Sequence, residues 1–123
     1  MSKLEPLKST HHSLSEISSK LSSLFNELGH DSALYFISVC VQDLTNTNNV
    51  LTQAIHGKDW NNAKKMTHKM LGASNLYSSI NLQQLLRSIN ESTITEQNLD
   101  QQLLEVQAEI NLVITKMKEK LAH

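Results

Sequence analysis

Aromatic side chains make up only 4% of the 123 residues, and the chain has one cysteine, one proline and three glycines. The lone Cys40 excludes an internal disulfide, and its setting in the apolar run YFISVCV reads as a buried thiol in a reducing compartment. Scarce aromatics leave Leu, Ile, Val, Met and Ala to build a core, and with so little Gly and Pro that composition favours packed helices over sheets. Charge of one sign is missing too. A formal net charge of −1 gives no basic field for nucleic acid or an anionic membrane. No apolar run approaches the ~18 residues of a membrane span, and the start MSKLEPLKST has no signal-peptide apolar region. The expectation is a cytoplasmic protein with no nucleic-acid partner and no direct membrane contact. Its length suits a single domain with one real core.

What is present is helical periodicity. Residues 1–12 are polar, contain Pro6 and read as a flexible lead-in or linker; the bundle is assigned to 13–123. From 13 to 28, Leu14, Ile17, Leu21, Leu24 and Leu28 recur at spacings of three and four, the stripe of an amphipathic helix. Gly29 stops it, and Asp31 or Ser32 can cap the next. That helix carries Leu34, Ile37, Val41, Leu44, Leu51 and Ile55. Asn48 occupies the missing slot within the weak helix-forming run TNTNN, which predicts a bend or solvated turn. Gly57 and Asp59 separate it from a third helix over DWNNAKKMTHKMLGASNLYS. A shorter helix bearing Leu82, Leu85, Leu86 and Ile89 follows the loop-like Ser78 and Ser79. After the connection NESTITEQ, a last helix runs from about 96 to 121 on Leu99, Leu103, Val106, Ile110, Val113, Met117 and Leu121. The fold expected is all-α, an antiparallel four-helix bundle with an additional N-terminal helix.

The third helix holds the unusual pairing. Each helical residue advances ~100°, which sets Ala63, Met66, Met70, Ala73 and Tyr77 opposite His68 as the buried stripe. Asn61, Lys64, Lys65, Gly72 and Asn75 share the side of His68, which falls at the middle of the solvent face. A glycine inside a helix costs ~1 kcal/mol relative to alanine, so Gly72 suggests that bulk is unwelcome one turn beyond the histidine. A neutral imidazole is a nucleophile without an activating base. A phosphoryl group on its nitrogen would add negative charge that Lys64, Lys65 or Lys69 can offset.

The segment NAKKMTHKMLGASNLYSSINLQQLLRSIN resembles the active-site helix pair of histidine-containing phosphotransfer (HPt) domains, in which a His is followed four residues later by Gly and then a small residue, here His68, Gly72 and Ala73. The preceding LTQAIHGKDWNNA is similar to the family's approach to that helix, and the likeness spans about residues 34–117. It implies a phosphorelay intermediate: His68 takes a phosphoryl group from a receiver-domain aspartyl-phosphate and passes it to another receiver aspartate. It implies no cofactor of its own, with Mg²⁺ and the catalytic apparatus on the response-regulator receiver domain, so the chain would not be an enzyme. It would act as a monomer, free-standing or as a module of a hybrid sensor kinase. Asn90 matches a polar position that often hydrogen-bonds the imidazole. Two positions depart from the pattern: Leu71 stands where the family usually has a base, and Ser78 where it usually has glycine. Lys65 and Lys69, with Lys64 behind them, are the substitute cations. Gly72, Leu71, Asn75 and Asn61 form the expected partner-access and docking surface.

Other chemistry has less behind it. A di-iron bundle needs paired E-x-x-H motifs; the chain has one, Glu27 to His30, interrupted by Gly29. No metal ligands are therefore assigned. His11, His12 and His123 read as solvated, and His56 as a helix-ending cation favoured by the helix dipole. A Gly-rich phosphate loop, a Ser/His/Asp order and a CxxC pair are all missing. The alternative is a helical adaptor that docks partners through the same face without phosphorylation.

Overall fold

A computed structural model describes residues 4–91 and 96–122, with their side chains over 11–91 and 98–122. Five helices follow in order: α1 (Leu4–Leu28), α2 (His30–His56), α3 (Trp60–Ser74), α4 (Ile80–Glu91) and α5 (Glu96–Leu121). The described residues contain no strand. Helices α2 to α5 close a ring, α2 packing on α3 and α5, and α4 packing on α3 and α5. Helix α1 lies against α2 and α5 and reaches α4. The fold is an all-α bundle of four helices with an extra N-terminal helix.

Helix α1 starts earlier than its apolar stripe suggests, taking in residues 4–12 that read as a lead-in. Pro6 does not prevent this, because it sits in the first turn, where backbone N–H groups have no intrahelical acceptor. Residues 1–3 lie outside the described residues. Gly29 alone separates α1 from α2, at φ 84, a left-handed conformation suited to glycine. Its N–H donates to the Phe25 carbonyl and its own carbonyl accepts from Ala33, both at 3.0 Å. At the next junction Asp59 caps α3, its carboxylate accepting from the Asn62 N–H at 3.2 Å.

The predicted break in α2 does not occur; the helix continues through TNTNN to His56. Thr47, not Asn48, fills the buried slot between Leu44 and Leu51. Asn48 instead meets a polar strip on α5. Its Nδ2 donates to Asn111 Oδ1 at 2.8 Å. Gln107 Nε2 donates to the Asn48 carbonyl at 3.0 Å and to Thr52 Oγ1 at 2.8 Å. Partners from a neighbouring helix thus outweigh weak intrinsic propensity.

The core gathers Ile17, Leu21 and Leu24 of α1, Ile37, Leu44 and Leu51 of α2, and the complete apolar stripe of α4 with that of α5 from Leu99 to Met117. Leu28 and Leu121, read as the ends of their stripes, are exposed. Helix α3 contributes less hydrocarbon. It buries Ala63, Thr67, Met70 and Ser74, with Tyr77 buried in the turn beyond it. The connection read from NESTITEQ includes residues 92–95, which lie outside the described residues.

Candidate functional site

Helix α3 is rolled relative to its sequence reading. The centre of its buried face lies about 50° from the predicted position, reckoned at ~100° per residue. Ala73, expected in the core, is exposed, while Thr67 and Ser74 are buried. The helix also ends at Ser74, four residues before the predicted limit. Thr67 and Ser74 enter the core with their hydroxyls satisfied, donating to the Lys64 carbonyl at 3.0 Å and the Leu71 carbonyl at 3.3 Å. Such internal bonds remove most of the penalty for burying a hydroxyl.

The roll moves His68 off the middle of the solvent face and towards α4. His68 remains exposed, and with Asn61, Lys64 and Lys65 of α3 and Asn90 of α4 it lines one open hollow. Lys64 and Asn90 are half-buried; Asn61 and Lys65 are exposed. Asn90 Nδ2 donates to the Leu86 carbonyl at 2.8 Å, and its Oδ1 is an acceptor with no partner among the described residues. Neither lysine has an ion-pair partner among the described residues. Two cations, two amides and an imidazole therefore share a hollow whose chemistry suits an anion bearing several oxygens.

The other residues picked out in the sequence do not line this hollow. Gly72 is exposed, and a Cβ there would meet no atom within 4 Å. Leu71 is half-buried and packs against the core. Asn75 is exposed and ends the helix, its carbonyl accepting from Lys20 Nζ at 2.9 Å. Lys69 faces the opposite flank. It lines a cavity of about 120 Å³ between α2 and α3, together with Asp43, Asn46, Thr47 and Tyr77. The structure thus brings His68 together with Lys64, Lys65, Asn61 and Asn90 and leaves Lys69 apart.

The competing nucleophiles are held back. Burial, and then the charge of Asp43, push the Cys40 thiol up to about 11. Burial raises the Tyr77 phenol further, with Cys40 and Asp43 adding to the shift. Neither ionises near neutral pH. Of the other histidines, His12 approaches Glu16 at 3.7 Å, and the His30 ring lies 5.7 Å from that of Phe25. His11 and His56 are exposed, and His123 lies outside the described residues. Among the described residues no group of three His, Cys, Asp or Glu side chains could hold a metal ion. No described helix is long and apolar enough to cross a membrane.

Sequence reasoning missed Glu109. This carboxylate is 6% exposed, within the apolar stripe of α5. The available signal was its register, three residues after Val106 and four before Val113, on the side that faces the core.

Comparison with known proteins adds no relative: no family model, no curated protein and no solved structure matches the chain.

Proposed function

We propose that the chain is a phosphotransfer module in which His68 carries the phosphoryl group. The observation that supports this best is the hollow itself. It pairs an exposed imidazole with Lys64 and Lys65, which have no ion-pair partner among the described residues, in a bundle whose glycine one turn on leaves the approach open. The donor in this reading is an aspartyl-phosphate on a receiver domain. A lone pair on one ring nitrogen of His68 attacks phosphorus; the N–P bond forms as the P–O bond to the aspartate breaks, and the carboxylate leaves. The second ring nitrogen keeps its proton, for which Asn90 Oδ1 is the acceptor at hand. That contact would fix the tautomer with its lone pair outward. Lys64 and Lys65 offset the phosphoryl charge, and transfer to a second receiver aspartate runs the same step in reverse. Phosphoryl transfer demands positioning and charge stabilisation above all, so a hollow with one nucleophile and two cations is sufficient on this side. The receiver supplies Mg²⁺, and the module adds no cofactor. The setting this implies is cytoplasmic, with a monomer that meets receivers in turn, free or within a hybrid sensor kinase.

The test is incubation with a receiver domain phosphorylated on its aspartate. Acid-labile, base-stable phosphate on the parent chain and none on His68→Gln is the expected result. A chain that binds receivers equally well with either residue, and never takes up phosphate, would instead be a docking adaptor.

A further inference from the structure

The buried Glu109 carboxylate accepts three side-chain hydrogen bonds, and the mechanism above leaves it unused. Three donors from three segments converge on it. Ser13 Oγ of α1 donates to Oε2 at 3.0 Å, and Asn81 Nδ2 of α4 donates to the same oxygen at 2.9 Å. Ser79 Oγ, from the turn before α4, donates to Oε1 at 2.6 Å. The Ser79 oxygen in turn accepts from the Leu82 N–H at 3.0 Å, capping α4. Its hydroxyl proton is therefore committed to Glu109.

Two side chains of α1, one helical turn apart, seize the same turn from the other side. Lys20 Nζ donates to the Asn75 carbonyl at 2.9 Å, at the end of α3. Glu16 Oε1 accepts from the Ile80 N–H at 3.2 Å, at the start of α4. The segment 75–81 is thus held by α1 at both ends and by α5 through Glu109, while Ser13 ties α1 to α5. This segment is also the covalent link between the helices that line the hollow, α3 with His68 and α4 with Asn90. Hydrocarbon packing between α3 and α4 is non-directional and leaves some freedom to slide or roll. Directed bonds to a buried carboxylate remove that freedom.

We infer that Glu109 is a positioning residue for the His68 site: by locking the α3–α4 turn to α1 and α5 it fixes His68 relative to Asn90. The inference rests on the phosphotransfer reading for its kinetic consequence, and on geometry alone for its structural one. Misplacement of reacting groups by an ångström can slow a reaction by about 100-fold, so a remote lock on helix register has kinetic weight.

The experiment compares the parent with Glu109→Gln, which keeps the shape but puts an NH₂ group against at least one of the three donors, and with Asn81→Ala, an exposed change that removes one bond. Three quantities are read at a temperature where each variant is fully folded: hydrogen exchange of amides 76–83, ¹⁵N shifts of the His68 ring, and phosphoryl transfer from a phosphorylated receiver. Faster exchange, an altered His68 tautomer balance and transfer slowed by about tenfold in Glu109→Gln are expected, with a smaller change of the same kind in Asn81→Ala. Should Glu109→Gln fail to fold, Asn81→Ala decides alone. Exchange and ring shifts at parent values overturn the lock. Faster exchange with unchanged ring shifts and transfer also overturns it, because Glu109 would then serve stability only. If the parent takes no phosphate, the phosphotransfer reading fails, while exchange and ring shifts still judge the lock.

Discussion

His68 and Gly72 stand one helical turn apart on the exposed side of α3, and a Cβ at Gly72 would meet no atom within 4 Å. The glycine therefore answers no packing demand inside the bundle, although it weakens the helix that carries the histidine. Gly72→Ala should raise stability by about 1 kcal/mol, the helix-propensity difference. Gly72→Gln should fold as the parent does yet transfer phosphate much more slowly, because a long side chain would stand between the imidazole and an approaching aspartate. Thermal melts and transfer rates on the two variants check this. An unfolded Gly72→Gln would mean the open space is needed by the fold, and transfer at the parent rate would remove the steric explanation.

Lys64 and Lys65 share the hollow with His68, whereas Lys69 lines the cavity towards Asp43. Joint replacement of Lys64 and Lys65 by Ala should slow phosphorylation or shorten the lifetime of phosphohistidine. Lys69→Ala should do less. Stability should change by about 0.5 kcal/mol or less per exposed site; half-buried Lys64 also loses stem packing. Equal effects from both sets, read by phosphate release over time, would contradict the division of roles.

Much of the bundle is legible in the sequence because its helices α4 and α5 obey the simplest rule. Leu82, Leu85, Leu86 and Ile89 keep helical spacing and are all buried, as are Leu99 to Met117. The rule misplaces faces where polar side chains go inward. Thr47, Thr67 and Ser74 fall outside the predicted apolar stripes, and each occupies a core position. Two of them satisfy their hydroxyls on their own helix, a bond that a polarity pattern does not register. The rolled face of α3 follows from that error, and with it the placing of Ala73 in the core; Lys69, chosen as a substitute cation, lies on the other flank. Exposed His68 and Gly72 were legible because they rest on spacing within one helix. Hydrogen bonds from α1, α4 and the turn to Glu109 join residues up to 96 positions apart, and no local pattern reports them.

Leu86 is fully buried against the core. Leu86→Ala should cost about 2–5 kcal/mol, the usual range for a large-to-small core change. Denaturant midpoints at constant slope measure it. A loss under 1 kcal/mol would show that α4 is packed less tightly than the structure has it.

Cys40 gives a pH signature. Its thiol is raised to about 11 by burial and by Asp43, so its protonated form contributes stability that is complete below the ordinary thiol value of about 8.5. That contribution is lost as pH rises through about 11. The melting temperature should fall across this alkaline window, and Cys40→Ala should flatten the fall. The buried Tyr77 phenol, also raised, contributes to the slope that remains. Parallel profiles for parent and variant would contradict a buried, protonated thiol.

The central claim is tested most directly by mapping the phosphorylated residue after incubation with a receiver domain phosphorylated on its aspartate, Mg²⁺ present. The account predicts one acid-labile phosphate, on His68, absent from a His68→Gln chain whose helical signal and melting temperature match the parent. Phosphate retained by His68→Gln, or found on His30 or His56, would contradict it.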